Sequence, residues 1–554
     1  MRARGPHVTR ESSRDDAIDQ HWRLIVLAPM ALAAMLFLPG IGERILYGGD
    51  EARYALLARN MVETGDWLVP RIGREVHLEK SPLFIWSIAA LSLGRREVTE
   101  LTAVLPSALS GIAGVGATLL LGRKMFDTLT GLLAALTLAT TWGYFWHARL
   151  ALADMMVTFF IVAGLIGFWA GAGSGAARRG PLALFWLCLG LGYSAKGPAG
   201  LMPIVPCAVF LIVEHGWHGL GRLRPLMGVA LVALVSAPWV LAFALQSEES
   251  YVTSVLIGDY LGPRLKLWNR FSELFFIVGP IGIGFLPWTL FLPAAVRGGW
   301  WSAEDEDVRR RFRFLLIWVL VYAIVITVMP HKRERYLLPT YPVLAVMIGW
   351  LWSQWATRPA AGALRAHAWA WGTLAAVMAV VVLLPLRVRL EQAVLIPATV
   401  GGKLWLVGLL LAGAVVMVAA ARAGRPLTAY VAVCTPMALI LAYETRIFVP
   451  AFNRAFDVKS FARRLEARLA PDARLVTLGV GALSIEFYSH RSARAVRSPA
   501  DVEQLLEASG PVHLVAEERS WRAVTEATGR PWQVWDQTTF AGKAVVVASP
   551  GERR

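Results

Sequence analysis

Thirteen apolar runs without a charged side chain lie between Leu24 and Tyr443, each long enough, or nearly so, to cross a bilayer. A hydrocarbon core about 30 Å thick takes about 20 apolar residues in a helix. No water reaches the backbone there, so N–H and C=O groups must pair within the segment, which makes the runs helical. Of the 554 residues, 56% are hydrophobic and 17% charged. The expectation is a polytopic α-helical membrane protein with about 13 transmembrane helices. Two short runs, Gly180–Ala195 and Gly197–Val213, are separated only by Lys196. The first run follows Arg23 with no small-residue cleavage site and reads as an anchor.

Orientation alone does not explain the net charge of +16. Lys and Arg are spread almost evenly over the two sets of loops. A bias placing the N-terminus inside emerges once the long loop 43–100 is set aside, because long segments count less. The outer face then carries a basic excess, which fits a phosphate-rich partner as well as it fits solvated surface charge. No nucleic-acid partner is expected. Cys188, Cys207 and Cys434 all fall inside apolar runs and form neither a disulfide framework nor a metal-ligand spacing.

Composition divides the chain into a membrane domain, 1–443, and a soluble tail, 444–554, which an odd number of spans places outside. In the tail, Asp457–Leu469 reads as a helix, Ala473–Gly479 as a strand, and Ser498–Ala508 as a helix opened by Ser-Pro. "PVHLVAEE", a helix near Ser520–Thr528, "QVWDQ" and "KAVVVAS" complete a small α/β unit. "GVGALS" (Gly479–Ser484) lacks the third glycine and the acidic partner of a dinucleotide fingerprint. Two outer loops, about 43–100 and 248–273, are too long for simple connections, and long ordered loops are usually functional. The first contains "GGDEARYALLARNMVETGDW", where Tyr54, Leu57, Ala58, Met61 and Val62 make one apolar stripe. That pattern predicts an amphipathic helix lying along the membrane surface, with a second such segment over Lys80–Gly94.

The polar residues gather on one membrane face. Asp50 and Glu51 follow the first span, and Glu79 and Lys80 close the same loop. His147, Arg149 and Asp154 sit between spans three and four, and Lys196 between five and six. Arg264, Lys266 and Arg270 lie in the second long loop, and "HKRERYLLPTYP" (His331–Pro342) joins spans nine and ten. Simpler roles exist for several: Asp50 could cap the helix that follows it, and Lys80, Arg149 and the 331–335 cluster could snorkel to headgroups. Asp154 is different. A carboxylate among apolar spans is costly unless it faces a polar cavity. His77, His147 and His331 have no close metal-ligand pattern. Separated carboxylates and several cations beside a membrane suit chemistry on a phosphorylated lipid, because Arg offers phosphate a bidentate fork and Lys a compact charge.

The Asp-Glu pair after span one, the Lys80 loop, Asp154 and "KRERYLLPTYP" resemble the GT-C membrane glycosyltransferases related to protein O-mannosyltransferases. The order of about thirteen spans with a C-terminal α/β domain is similar to the bacterial lipid A aminoarabinose transferases, with "DEARYA" (Asp50–Ala55) and "YLLPTYP" (Tyr336–Pro342) the most specific matches. The resemblance implies an inverting transfer of 4-amino-4-deoxy-L-arabinose from undecaprenyl phosphate to lipid A phosphate at the periplasmic face of the inner membrane. It implies that Asp50, Asp154 and Glu51 serve catalysis. Arg53, Lys80, Arg270, Arg333 and Arg335 would hold the donor phosphate, with Tyr341 a hydrogen-bond donor. No cofactor is required, and a divalent cation near Glu79 stays open.

The acceptor decides what Asp50 must do. A protein hydroxyl needs a general base, whereas a phosphate, with a second pKa of about 6, is already anionic. For a phosphate acceptor, Asp50 would orient the sugar ammonium or stabilise oxocarbenium character. Two alternatives stand beside this reading: protein O-mannosyltransferase-like transfer of another polyprenyl-linked sugar, and a lipid flippase. Transporters commonly repeat interrupted helices in two halves, and no such repeat is evident.

Overall fold

The computed structural model describes residues 22–73, 75–77, 80–173, 175, 177–246, 279–301, 304–329, 333–358, 361–384, 400–470, 473–508, 512–540 and 543–551. Arg264, Lys266, Arg270, Glu79 and His331, named above, lie outside them. Among the described residues, seven helices are long and apolar enough to cross a membrane, or eight if the bent pair Arg179–Leu201 and Ile204–His215 is one span. Among the described residues, some of the thirteen apolar runs break. Thr128–Ala139 stops at Thr140, and a separate short helix, Trp142–Ala148, follows. The run around Lys196 bends by 62°.

Small residues govern how closely the helices approach. Glu100–Met125, opened by a Thr99–Thr102 capping box, crosses Thr128–Ala139 so tightly that a Cβ on Gly122 would lie 2.8 Å from the Gly131 Cα. Shortly before the bend, where the helix Arg179–Lys196 ends, Gly197 takes φ +60°, which a side chain rarely adopts. A Cβ on Gly200 would meet the Gly192 carbonyl carbon at 2.1 Å. The turn Gly197–Leu201 is therefore pressed against the helix it leaves, and this fixes where Lys196 points.

The helix Gly49–Thr64 departs from expectation. Tyr54, Leu57, Ala58 and Met61 are buried, but so are Ala52, Ala55 and Leu56 on the other side. Protein covers its apolar stripe instead of lipid. One hydrophobic cluster joins Leu57 and Met61 to Phe84 and Ile85 of the helix Pro82–Ser92 and to Phe461, Ile485 and Phe487 near the C-terminus.

The C-terminal strands and helices fall where the alternation placed them. Asp457 caps the helix Val458–Arg468. The structure adds a helix, Ala482–Ser489, and a strand, Ala493–Val496, that the sequence reading left out. After a small antiparallel pair in the first long loop (β1, Arg71–Ile72; β2, Glu75–Val76), five strands form one sheet. They are β3 (Arg474–Leu478), β4 (Ala493–Val496), β5 (Val512–Glu517), β6 (Trp532–Phe540) and β7 (Lys543–Pro550), in the order β4-β3-β5-β7-β6. β3 runs parallel to β4 and β5, while β7 is antiparallel to β5 and β6. The helix Pro426–Ala455 runs past residue 443 before this unit begins. Leu46 N–H donates to the Tyr488 hydroxyl at 2.8 Å, Ile45 N–H to Asn453 Oδ1 at 3.1 Å, and Arg59 to the Phe487 carbonyl at 2.8 Å. These bonds tie the helix Ala482–Ser489 and the end of the helix Pro426–Ala455 to the segment that carries Asp50.

Candidate active site

Asp50 does not cap its helix. The N-cap is Gly48, at φ +109° and without a side chain, which leaves the Asp50 carboxylate in the first turn free to reach outward. Arg335 Nη2 donates to Asp50 Oδ2 at 2.5 Å. On Oδ1, Arg53 lies at 3.2 Å and Lys80 Nζ at 3.7 Å. Lys80 also sits over the Tyr54 ring, 5.5 Å from its centre. Burial alone would raise this carboxyl, but Lys80, Arg335 and Arg53 outweigh it and hold the pKa at about 2.

Asp154 opens the helix Asp154–Phe168 and is 4% exposed. The Lys196 ammonium hydrogen-bonds its Oδ1, and Arg335 Nε faces its Oδ2 at 3.5 Å. The Arg335 guanidinium thus stands between two carboxylates that are 104 positions apart in the chain (154 − 50). Arg53, Lys80, Lys196 and Arg335 set four positive charges against two negative ones, a formal excess of two. Lys196 also lies 4.8 Å from the centre of the Tyr336 ring. The sequence reading placed Lys196 on the right face but not in the site. Its signal was a single charge between two apolar runs.

The remaining site residues part company. Glu51 is 6% exposed; its Oε1 accepts from the Arg44 guanidinium and from Ala151 N–H at 2.9 Å. Through Oε1 it fastens the loop after the first helix to the turn before Asp154. Tyr341 is buried and donates its only hydroxyl proton to the Pro280 carbonyl at 2.8 Å, so it is no free donor to a ligand. Arg333 is exposed at the rim.

Of the charged cluster, Asp50 and Arg335 border a cavity of about 830 Å³, lined on the membrane side also by Glu51, Arg333, Glu334, His147 and Tyr341, and on the sheet side by Gly479, Ser484, Glu517 and Lys543. Burial pushes the His147 imidazole towards its neutral form, and Nδ1 lies 2.6 Å from the Gly143 carbonyl. Among the described residues no group of three or more His, Cys, Asp or Glu is placed to hold a metal ion.

Residues 22–249 match the family model described as dolichyl-phosphate-mannose-protein mannosyltransferase, and 260–395 match the Alg9-like mannosyltransferase family. Over 95% of this chain and 98% of its own length, the crystal structure of ArnT from Cupriavidus metallidurans bound to undecaprenyl phosphate superposes with a TM-score of 0.73 at 20% identity. This chain has the ArnT fold. The apo form of the same protein gives 0.75. An archaeal oligosaccharyltransferase, AglB from Archaeoglobus fulgidus, gives 0.56 at 12% identity, covering 96% of this chain and 74% of its own. In sequence, the undecaprenyl phosphate-alpha-4-amino-4-deoxy-L-arabinose arabinosyl transferase of Edwardsiella ictaluri is 28% identical over 318 residues, 56% of either chain. Its counterpart in Aeromonas salmonicida is 29% identical over 329 residues, 57% of either. The chain therefore spans a little over half the length of these curated relatives. The resemblance drawn from the motifs, to the GT-C aminoarabinose transferases, is borne out by these matches.

Proposed function

We propose that this protein is an inverting glycosyltransferase that moves 4-amino-4-deoxy-L-arabinose from undecaprenyl phosphate to a lipid A phosphate. The observation that carries this reading is the cluster of two carboxylates and four cations, with its excess of two positive charges, beside a cavity that the sheet completes. A polyprenyl-linked sugar phosphate brings negative charge, and more of it develops on the leaving phosphate as the C1–O bond breaks. Arg335, Lys80, Arg53 and Lys196 offer compensation in a partly water-excluded place, where electrostatic stabilisation is worth most. An acceptor phosphate oxygen attacks C1 from the opposite face, forms the new C1–O bond, inverts the centre and releases undecaprenyl phosphate.

The acidity of Asp50 separates the acceptors. A general base works best with a pKa near the operating pH. A carboxylate held at about 2 is a poor proton acceptor and a good permanent negative charge. It suits the sugar ammonium or the positive charge developing at C1, with an acceptor that is already anionic. The match of 22–249 to the mannosyltransferase family favours a second reading, transfer to a protein hydroxyl, but that chemistry needs a general base, and a carboxylate held this low is a poor one. A flippase would not need two carboxylates bridged by one guanidinium.

Glu51 acts as a positioning residue through Arg44 and Ala151. Arg333 stands at the rim as a further phosphate contact, and Tyr341 shapes the wall. The resemblance assigns Arg270 to the donor phosphate, and that residue lies outside the described ones, as does Glu79 with its candidate cation. Orientation with the cavity and the C-terminal unit facing the periplasm, thirteen crossings in all, belongs to the same proposal, as does resistance to polymyxin from a less negative outer membrane. Mass spectrometry of lipid A from cells with and without the gene tests it. An added aminopentose is expected. Its absence, with the protein present in the membrane, would refute the donor and acceptor together.

A further inference from the structure

The sheet's contribution to the cavity has a chemistry of its own. From the carboxyl end of β3 the chain passes through Ala482–Ser489 to β4 on one side, and from β5 through Glu518–Thr528 towards β6 and β7 on the other. The crevice between them is the switch point where open parallel sheets bind ligands, and here it opens onto the catalytic cavity through Gly479, Val480, Gly481, Ser484, Glu517 and Lys543. The loop before Ala482–Ser489 is shaped for close approach: Gly479 takes φ +74°, and a Cβ there would stand 3.3 Å from Ser520 Oγ. The helix has no side-chain cap and no acidic residue in its first turn, so its first N–H groups are unclaimed by any side chain. Independently of the helix end, Ser484 is 4% exposed and lines the cavity, and among the described residues its hydroxyl has no hydrogen-bond partner. The hydroxyl opens onto the cavity, so it is available to donate to a ligand there. Lys543 borders the same crevice, 2.9 Å from Glu517.

We propose that the Gly479–Ser484 loop is a phosphate subsite that holds the phosphorylated acceptor, with the Ser484 hydroxyl and the helix N–H groups donating to it. The donor phosphate has the cationic cluster on the membrane side. The sheet side offers what an incoming phosphate monoester needs, namely neutral donors at the positive end of a helix. This rests on the glycosyltransferase reading above and names the acceptor side of the same cavity.

The test uses the full chain in detergent, with undecaprenyl-linked aminosugar as donor and a phosphorylated glucosamine disaccharide lipid as acceptor. Ser484→Ala removes one donor. Ser484→Asp puts a charge where the phosphate would sit, at a first-turn position where an acid favours the helix, so this variant is expected to fold. The expected result is a rise in acceptor KM of about tenfold, equivalent to about 1.4 kcal/mol, for Ser484→Ala and more for Ser484→Asp, with donor KM within twofold of wild type. Unchanged acceptor KM in both variants, or equal losses for donor and acceptor, would overturn the inference. If the wild-type protein transfers nothing, the glycosyltransferase reading itself has failed.

Discussion

Arg335→Gln is the substitution that most directly tests the proposed chemistry. The variant removes the hydrogen bond to Asp50 at 2.5 Å and the contact to Asp154 at 3.5 Å. Neither carboxylate is left without a counter-charge: Asp50 keeps Arg53 at 3.2 Å and Lys80 at 3.7 Å, and Asp154 keeps Lys196. The folding cost is then that of one charge-assisted hydrogen bond, about 1.5–3 kcal/mol, and not the larger penalty of an orphaned buried charge. The Asp50 carboxyl rises from about 2 towards its ordinary value and stays ionised at neutral pH, so lost ionisation cannot explain lost activity. Activity should fall far more than stability. The guanidinium lies between both carboxylates and, in the proposed mechanism, faces the site of charge build-up, and loss of one such donor costs about 10²–10³ in kcat. Arg335→Lys restores the charge without the planar fork and should recover part of the rate. The assay is transfer from undecaprenyl-linked aminosugar by purified protein in detergent, with thermal unfolding measured beside it. A rate for Arg335→Gln within threefold of wild type, or a loss that tracks the folded fraction, would refute the reasoning.

Asp50→Asn and Asp154→Asn should each abolish lipid A modification in a complementation assay while the protein remains in the membrane at normal levels; restored modification would remove that residue from the mechanism. Glu51→Gln should act on folding instead, because it leaves Arg44 buried beside a neutral partner; a loss of about 3–5 kcal/mol, read as a fall in Tm, is expected. Unaltered Tm together with lost turnover would make Glu51 catalytic after all. Gly200→Ala drives a methyl group into the backbone at Gly192 and Tyr193, so turnover should drop as Lys196 is displaced, and wild-type turnover would show that the tight turn does not position it. The stabilising contribution of the depressed Asp50 carboxyl is present above its ordinary pKa near 4 and disappears as pH falls through about 2. Activity should therefore show no limb from Asp50 between pH 5 and 8, and any acid limb near pH 6 should move when the acceptor phosphate is exchanged for one of different pKa.

The sequence by itself settled the class of protein, the alternation of strands and helices near the C-terminus, and the gathering of Asp50, Lys80, Asp154, Lys196 and the 333–335 segment at one face. Those features follow from local rules: hydrocarbon excludes unpaired backbone and charge, and period and capping depend on near neighbours. Tertiary structure decided the rest. It broke apolar runs that composition alone counted as spans, and it wrapped protein around the helix Gly49–Thr64, whose stripe looks the same whether lipid or protein will cover it. It gave Glu51 to Arg44, gave the Tyr341 proton to Pro280, and set Arg335 between Asp50 and Asp154. A side chain's partner is fixed by which distant segments the packed helices bring within about 3 Å, and no periodicity within one segment encodes that distance.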